Sequence, residues 1–314
     1  MSDRDYTRHY FSDAAARWLA TAYGEGEHPV AYPVGAQRVR LAMAAVCERL
    51  GASCGCLVDL GCGGGDLCLA AIRAGFHVVG VDLAPGMIEI AEERRRGLLA
   101  PLRERLTLRV ADALASGLPD GHADALTALG LLEYLDGDGE FFVEAARLIR
   151  PGGVLVVSCR NRLFNMMSAN DYTRREMEAG AGAALLDELA AFRPAVDVRD
   201  ALRELVGRLR AELPALEEAL AQDLREGLAA PSPEGFTERR RQHTPRALSG
   251  AAEAAGFTAP AFLGVHPHPL PPAFEAVAPR FYQSLAGAWG ALELLAASLY
   301  WSSAFLAVFT RCPR

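Results

Sequence analysis

The chain has 314 residues, 51% hydrophobic and 23% charged, enough to bury one sizeable core with additions or two modest domains. Its formal charge is -7, every basic residue is an arginine, and no long basic run is interleaved with aromatics, which argues against nucleic acid as partner or substrate. Seven cysteines are scattered without a C-x-x-C pair or a histidine at ligand spacing, and Cys54 and Cys56 flank a single glycine, too close for zinc-ribbon spacing; no metal site is expected, and all seven read as reduced thiols in a cytoplasmic protein.

The N-terminal segment, residues 1–35, holds aromatics without clear periodicity and has neither the apolar run nor the small-residue cleavage site of a signal peptide. Gln37 to Leu50 then reads as a helix covering a sheet. CLVDL at 56–60, HVVGVD at 77–82, LTLRVAD at 106–112, ADALTALG at 123–130 and GVLVVSC at 153–159 read as five strands. Helix candidates lie between them at 65–74, at 85–98 after the Pro85 start signal, and at 139–149, before the stop at Pro151-Gly152-Gly153. Strands alternating with helices over 36–160 predict a parallel sheet covered on both faces.

From Asn161 to His243 the pattern is helical throughout. Leu202, Leu205, Val206, Leu209, Leu213, Leu216, Leu220 and Leu224 recur at steps of three and four, with Pro214 expected to kink or break the run. A packed helical cap is the favoured reading, and a dimerising coiled coil, hence a homodimer, the alternative. Arg239 to Arg241 form the one basic cluster of note; solvation is its plain role, contact with an anionic substrate its sharper one. Thr244-Pro245 starts a helix that Gly256 stops. AFLGV at 261–265 and SAFLAVF at 303–309 bring the strands to seven, with a second lid over 266–300. The nearly uncharged stretch from Leu285 to Phe309 is long enough to span a bilayer, but its end reads better as a buried strand.

The strongest chemical signal is Asp59-Leu60-Gly61-Cys62-Gly63-Gly64-Gly65-Asp66, placed where a strand turns into a helix. A dinucleotide fingerprint G-x-G-x-x-G/A begun at Gly61 and Gly63 would need a small residue where Asp66 stands. The spacing D-x-G-x-G-x-G instead resembles the class I S-adenosylmethionine-dependent methyltransferases, especially the branch like the quinone-biosynthesis O-methyltransferases. That resemblance covers 36–160 well, 244–311 loosely and 161–243 not at all. It implies a Rossmann-like α/β fold, S-adenosylmethionine as cofactor and S-adenosylhomocysteine as product. Asp59 and the glycines Gly61, Gly63 and Gly65 would then form the cofactor turn. Asp82, ending the second strand, would take both ribose hydroxyls, with Leu83 beside it and Met87 packing on the adenine. Asp112 would accept from the adenine amino group beside the Ala113 backbone, and Leu129 would touch the methionine part. Arg40 lies near where related quinone methyltransferases hold an arginine for the cofactor carboxylate.

Acceptor contacts are sought at the carboxyl ends of the strands, where open α/β sheets bind ligands. Glu133 and Tyr134 follow the fourth strand; Arg160, Arg162 and Asn165 follow the fifth. If the acceptor arrives protonated, His243, His266 and His268 are the candidate bases, with His243 foremost because it sits where the cap rejoins the sheet. The sequence thus predicts a seven-stranded, mostly parallel sheet with a helical cap insertion, divided as 1–35, 36–160, 161–243 and 244–314. The expected activity is methyl transfer to O, N or C of an enclosed small molecule. A nucleotide-binding oxidoreductase and a cofactor-binding member without methyl transfer are the alternatives.

Overall fold

The computed structural model describes residues 3–13, 33–51, 55–192, 198–226, 240–258 and 260–313. The readings placed on Cys54 and Arg239 lie outside them. A short helix α1 (Asp3–Asp13) precedes α2 (Val34–Leu50), and then strands and helices alternate: β1 (Cys56–Leu60), α3 (Asp66–Arg73), β2 (His77–Asp82), α4 (Pro85–Arg96), α5 (Ala100–Arg103), β3 (Leu106–Val110), β4 (Ala123–Leu129), α6 (Gly139–Leu148) and β5 (Ile149–Arg160). The insertion supplies α7 (Asp171–Glu178), α8 (Gly182–Ala190) and α9 (Val198–Glu226), and α10 (Pro245–Ala254) leads back to the sheet. β6 (Ala261–Pro267), α11 (Ala273–Val277), α12 (Pro279–Trp289) and β7 (Ser302–Thr310) complete the chain.

The strands form one sheet in the order β3-β2-β1-β4-β5-β7-β6. β1 to β5 are parallel, and β7 inserts antiparallel between β5 and β6. That central position explains the uninterrupted apolar run of β7, which is covered on both faces. The stretch 285–309 is therefore the end of α12, short turns and a strand; among the described residues no helix is long and apolar enough to cross a membrane.

Two cores flank the sheet. On one face Leu41 and Val46 of α2 and Leu67 and Ile72 of α3 pack on Leu57, Val78, Val156 and Leu306. On the other, Phe141, Phe142 and Leu148 of α6 and Leu248 of α10 meet Phe257 and Phe309, with Phe142 and Phe309 edge to face at 5.8 Å. Each such ring contributes about 1.5–3 kcal/mol by burial. Thr244 caps α10 as expected, its Oγ1 accepting from the Ala247 amide at 3.2 Å.

The insertion leaves and returns at one point. The Arg162 amide donates to the His243 carbonyl and the His243 amide to the Arg160 carbonyl, both at 2.9 Å, so Asn161 and His243 form a parallel bridge. Pro214 does not break the helix: α9 is one run from Val198 to Glu226. The lost backbone bond at Pro214 is offset because both halves of α9 are anchored. Leu205 and Leu216 are buried on either side of it. Asp223, farther along, accepts from Arg280 Nη1 at 3.2 Å and from the Phe281 amide at 3.0 Å, both in the first turn of α12. The leucine stripe divides, since Leu202, Val206, Leu213 and Leu224 stay exposed.

Candidate active site

At the carboxyl ends of β1, β2 and β4, where the strand order reverses between β1 and β4, a cleft opens, lined by Gly61, Asp82 and Leu129 from those three ends. Its floor is the turn after β1, where Gly61 and Gly63 take φ of 73° and 52°, conformations that side chains disfavour. A Cβ on Gly63 would enter the cleft itself, with no atom nearer than Met87 Sδ at 3.9 Å. Gly65 serves otherwise: at φ 84° it opens α3, and its bare Cα lets Ala91 of α4 approach.

Asp82 stands beside this turn, Oδ2 accepting from the Gly63 amide and Oδ1 from the Ala84 amide, each at 2.8 Å. Burial pushes its carboxyl up, against the lowering effect of those backbone bonds. Each oxygen retains a lone pair for a ligand hydroxyl. Leu83, Met87, Asp112, Ala113 and Leu129 also line the cleft. Asp59 does not: only 2% exposed, it accepts from Thr127 Oγ1 at 2.7 Å and faces Cys68, and burial holds its carboxyl at about 7 despite both bonds. It braces the sheet beneath the turn.

A second cavity adjoins the first, the two sharing Leu129, Gly130 and Tyr134 at the end of β4. Arg38, Glu133, Arg160, Arg240, His266 and Ser303 face into it. Of the expected acceptor contacts, Glu133, Tyr134 and Arg160 are thus brought together. Arg162 and Asn165 are not in the wall: both bind Glu176, Arg162 through two bonds of 2.9 and 2.7 Å, and Asn165 also reaches Gln242 at 2.7 Å. They tie α7 to the end of β5.

The three histidines separate. His243, 3% exposed, lines neither cavity; its Nε2 lies 3.0 Å from Asp138 Oδ1, and Arg241 grips the same carboxylate at 2.8 and 2.9 Å. Burial would raise Asp138, but the bonds from His243 and Arg241 prevail and hold it at about 2. The expectation of His243 as the foremost base therefore meets a buried pin of the returning chain. His268 is likewise buried, Nδ1 at 2.8 Å from the Tyr282 hydroxyl, stacked on Phe164, and lowered by burial to about 4. His266 faces the second cavity. Its φ of 57° turns it out of the strand, its amide donates to Gln37 Oε1 at 2.8 Å, and its Nδ1 lies 3.0 Å from Ser303 Oγ. Burial, then His268, Arg38 and Arg160, push its pKa well below 6.5, so it is neutral at pH 7.

Arg40 points outward, 58% exposed and 2.6 Å from Glu293. The arginine of α2 that lines a cavity is Arg38, half a turn away. Its face was readable, since Leu41, Ala42 and Ala45, at helical spacing from it, are all buried. Thr7, Arg8 and Phe11 of α1 complete the first cleft, with Phe11 edge-on to Tyr134 at 5.2 Å; no periodicity had marked that helix.

Residues 58–157 match the methyltransferase domain family. Over 107 residues the chain is 36% identical to a ubiquinone biosynthesis O-methyltransferase of Methylococcus capsulatus, covering 33% of this chain and 43% of that protein. The corresponding protein of Xylella fastidiosa is 35% identical over 106 residues, 34% of this chain and 42% of its own. The chain thus spans less than half the length of these curated relatives. Among solved structures, magnesium protoporphyrin IX methyltransferase of Synechocystis PCC 6803 with bound SAH aligns over 99% of this chain and 100% of its own (TM-score 0.58, 15% identity). The [4+2]-cyclase SpnF aligns over 100% and 98% (TM-score 0.55, 17% identity). At these identities the structures show a shared fold. The match to the methyltransferase domain family covers residues 58–157, from β1 into β5, and so includes the glycine turn.

Proposed function

We propose that this chain transfers the methyl group of S-adenosylmethionine to a nucleophilic oxygen or nitrogen, or a carbon, of a small molecule held in the second cavity. The observation that carries this is the junction of the two cavities at Leu129, Gly130 and Tyr134: one has the glycine turn and acids for a nucleoside, the other a polar, charged wall for an acceptor. When bound, the cofactor supplies an electrophilic methyl on sulfur, displaced in line. The protein's task is then to align the acceptor and exclude water.

In this reading Asp82 holds the ribose, Asp112 the adenine amino group and Met87 the adenine face. Arg38 replaces Arg40 as partner of the cofactor carboxylate, because it stands at the shared wall: a Cβ on Gly130 would come within 2.9 Å of its Nη1. His266, neutral and beside the acceptor space, takes the acceptor's proton where there is one to lose. Residues 161–243 act as a cap, excluding water above the second cavity. Arg162, Asn165 and His243 fix the cap's two ends rather than touch the acceptor.

A dinucleotide fits the site poorly. Asp66, paired with Arg94 at 2.9 Å, puts a carboxylate in the first turn of α3, where a pyrophosphate would have to lie. The cyclase neighbour shares this fold, so the fold alone does not fix the chemistry. Calorimetry tests the cofactor assignment: S-adenosylmethionine and S-adenosylhomocysteine should bind one to one and NADH should not. Binding of NADH in place of either would refute it.

A further inference from the structure

The leucines of α9 fall on two faces. Leu205 and Leu216 are buried against the chain itself, in line with Asp223, which holds the first turn of α12. At about 100° per residue, Leu202, Val206, Leu209, Leu213, Leu220 and Leu224 lie within about 60° of one another on the neighbouring face. Of these, Leu202, Val206, Leu213 and Leu224 are 45–72% exposed. The row runs roughly 33 Å along the helix, and none of its residues lines either cavity. Apolar residues scattered singly over a surface are ordinary, but a row of this length marks a contact surface.

The row is its own complement when reversed. Leu202 and Leu224 stand eleven residues either side of Leu213, and Val206 and Leu220 seven either side, so an antiparallel copy sets apolar on apolar at each of these places. Charge follows the same reversal. From Val198 to Ala211 the helix carries four arginines and two acids; from Glu212 to Glu226 it carries five acids and one arginine. On the flank of the row turned away from Leu205 and Leu216 lie exposed Arg199, Arg203 and Arg210 in the first half and exposed Glu217 in the second. Arg203 pairs with Asp200 within the helix, but neither Arg210 nor Glu217 forms an ion pair with a described residue. A parallel copy would face Arg210 with Arg210 of the partner subunit. An antiparallel one faces it with Glu217 of the partner subunit, and does so twice by symmetry.

We propose that this row is the contact of a homodimer, in which a second copy of the chain packs its α9 antiparallel on this one about a two-fold axis near Leu213. One helix serves both partners, as an isologous contact requires. A single row from each copy makes a small interface, so the dimer exchanges with monomer. Because α9 is tied to α12 through Asp223 and Arg280, pairing braces the cap of each copy without entering the cofactor cleft.

Sedimentation equilibrium of the full chain, 33.6 kDa per copy, should show a reversible equilibrium between monomer and dimer. Leu213→Asp sets two carboxylates against each other at the axis and should weaken the dimer by roughly tenfold or more. Arg210→Glu should weaken it by about fivefold, and adding Glu217→Arg to that variant should restore it. Only the antiparallel register predicts that recovery. Circular dichroism and unchanged affinity for S-adenosylhomocysteine check that each variant keeps its fold and cleft; should Leu213→Asp unfold, the charge pair carries the test. A monomer at about 100 μM, where even a weak contact is filled, overturns the proposal. So does a dimer indifferent to all of these changes. A monomer that binds phosphatidylglycerol vesicles, and loses them in Leu213→Asp, makes the row a lipid surface and overturns the dimer as well.

Discussion

Replacing Asp82 by Ala removes a carboxylate whose oxygens each accept one backbone amide at 2.8 Å and offer a remaining lone pair to the cleft. Two charge-assisted bonds to ribose hydroxyls, at about 1.5–3 kcal/mol each, set an upper limit of roughly 3–6 kcal/mol on the loss of affinity. The observed loss should fall below that limit, because water enters the vacated space and because burial already penalises the charge in the ligand-free protein. About 2 kcal/mol, roughly thirtyfold in Kd, is expected. The same change deprives the Gly63 and Ala84 amides of their acceptor, so the melting temperature should drop as well. Asp82→Asn separates the effects by keeping an acceptor while losing the charge. Calorimetry with S-adenosylhomocysteine, alongside thermal melts by circular dichroism, reads both. A folded Asp82→Ala protein with wild-type affinity would refute the ribose assignment.

Asp59 titrates at about 7 in the native chain but near ~4 when unfolded, so between those values the native state holds a proton that the unfolded state has released. Stability should therefore fall as pH rises from ~4 to 7, by about 4 kcal/mol at most. Asp59→Asn should flatten that slope and raise the melting temperature at pH 8; a steeper slope would contradict the assignment. His266→Ala should lower turnover by roughly 10² with cofactor affinity little changed. Because burial, then His268, Arg38 and Arg160, hold His266 well below the ordinary 6.5, the wild-type rate should show no loss as the pH falls from 8 to 6.5. His243→Ala should instead cost thermal stability, through the loss of its bond to Asp138, and normal stability with lost turnover would reverse the two roles. Replacing residues 169–238 by a short linker should leave a soluble chain that binds S-adenosylhomocysteine but turns over poorly; turnover at the normal rate would make the cap irrelevant.

The sheet was legible because its signals are local. Runs such as LVDL and VLVVSC announce strands covered on both faces, and the glycine turn sits at fixed distances from Asp82 and Asp112. The antiparallel insertion of β7 was not legible, since an apolar run carries no direction. Pro214 leaves α9 unbroken because propensity yields to packing: the helix is held on both sides of it by α12 and its neighbours. The acceptor cavity was read in part. Glu133, Tyr134 and Arg160 follow strand ends, where the sheet itself places ligands. Arg38, Arg240 and His266 meet there from distant segments, and the left-handed turn at His266 is a tertiary choice fixed by Gln37 and Ser303. His243 looked catalytic by its position in the chain; the bond to Asp138, over a hundred residues away in sequence, could not be seen there.

Methyl transfer itself is tested most directly by product analysis. The purified chain would be incubated with methyl-labelled S-adenosylmethionine and a small-molecule extract, and label followed by mass spectrometry. One metabolite should gain a single labelled methyl group in equal amount to the S-adenosylhomocysteine released. Release of no S-adenosylhomocysteine by a chain that binds the cofactor tightly, with the extract chemically transformed in some other way, would contradict it.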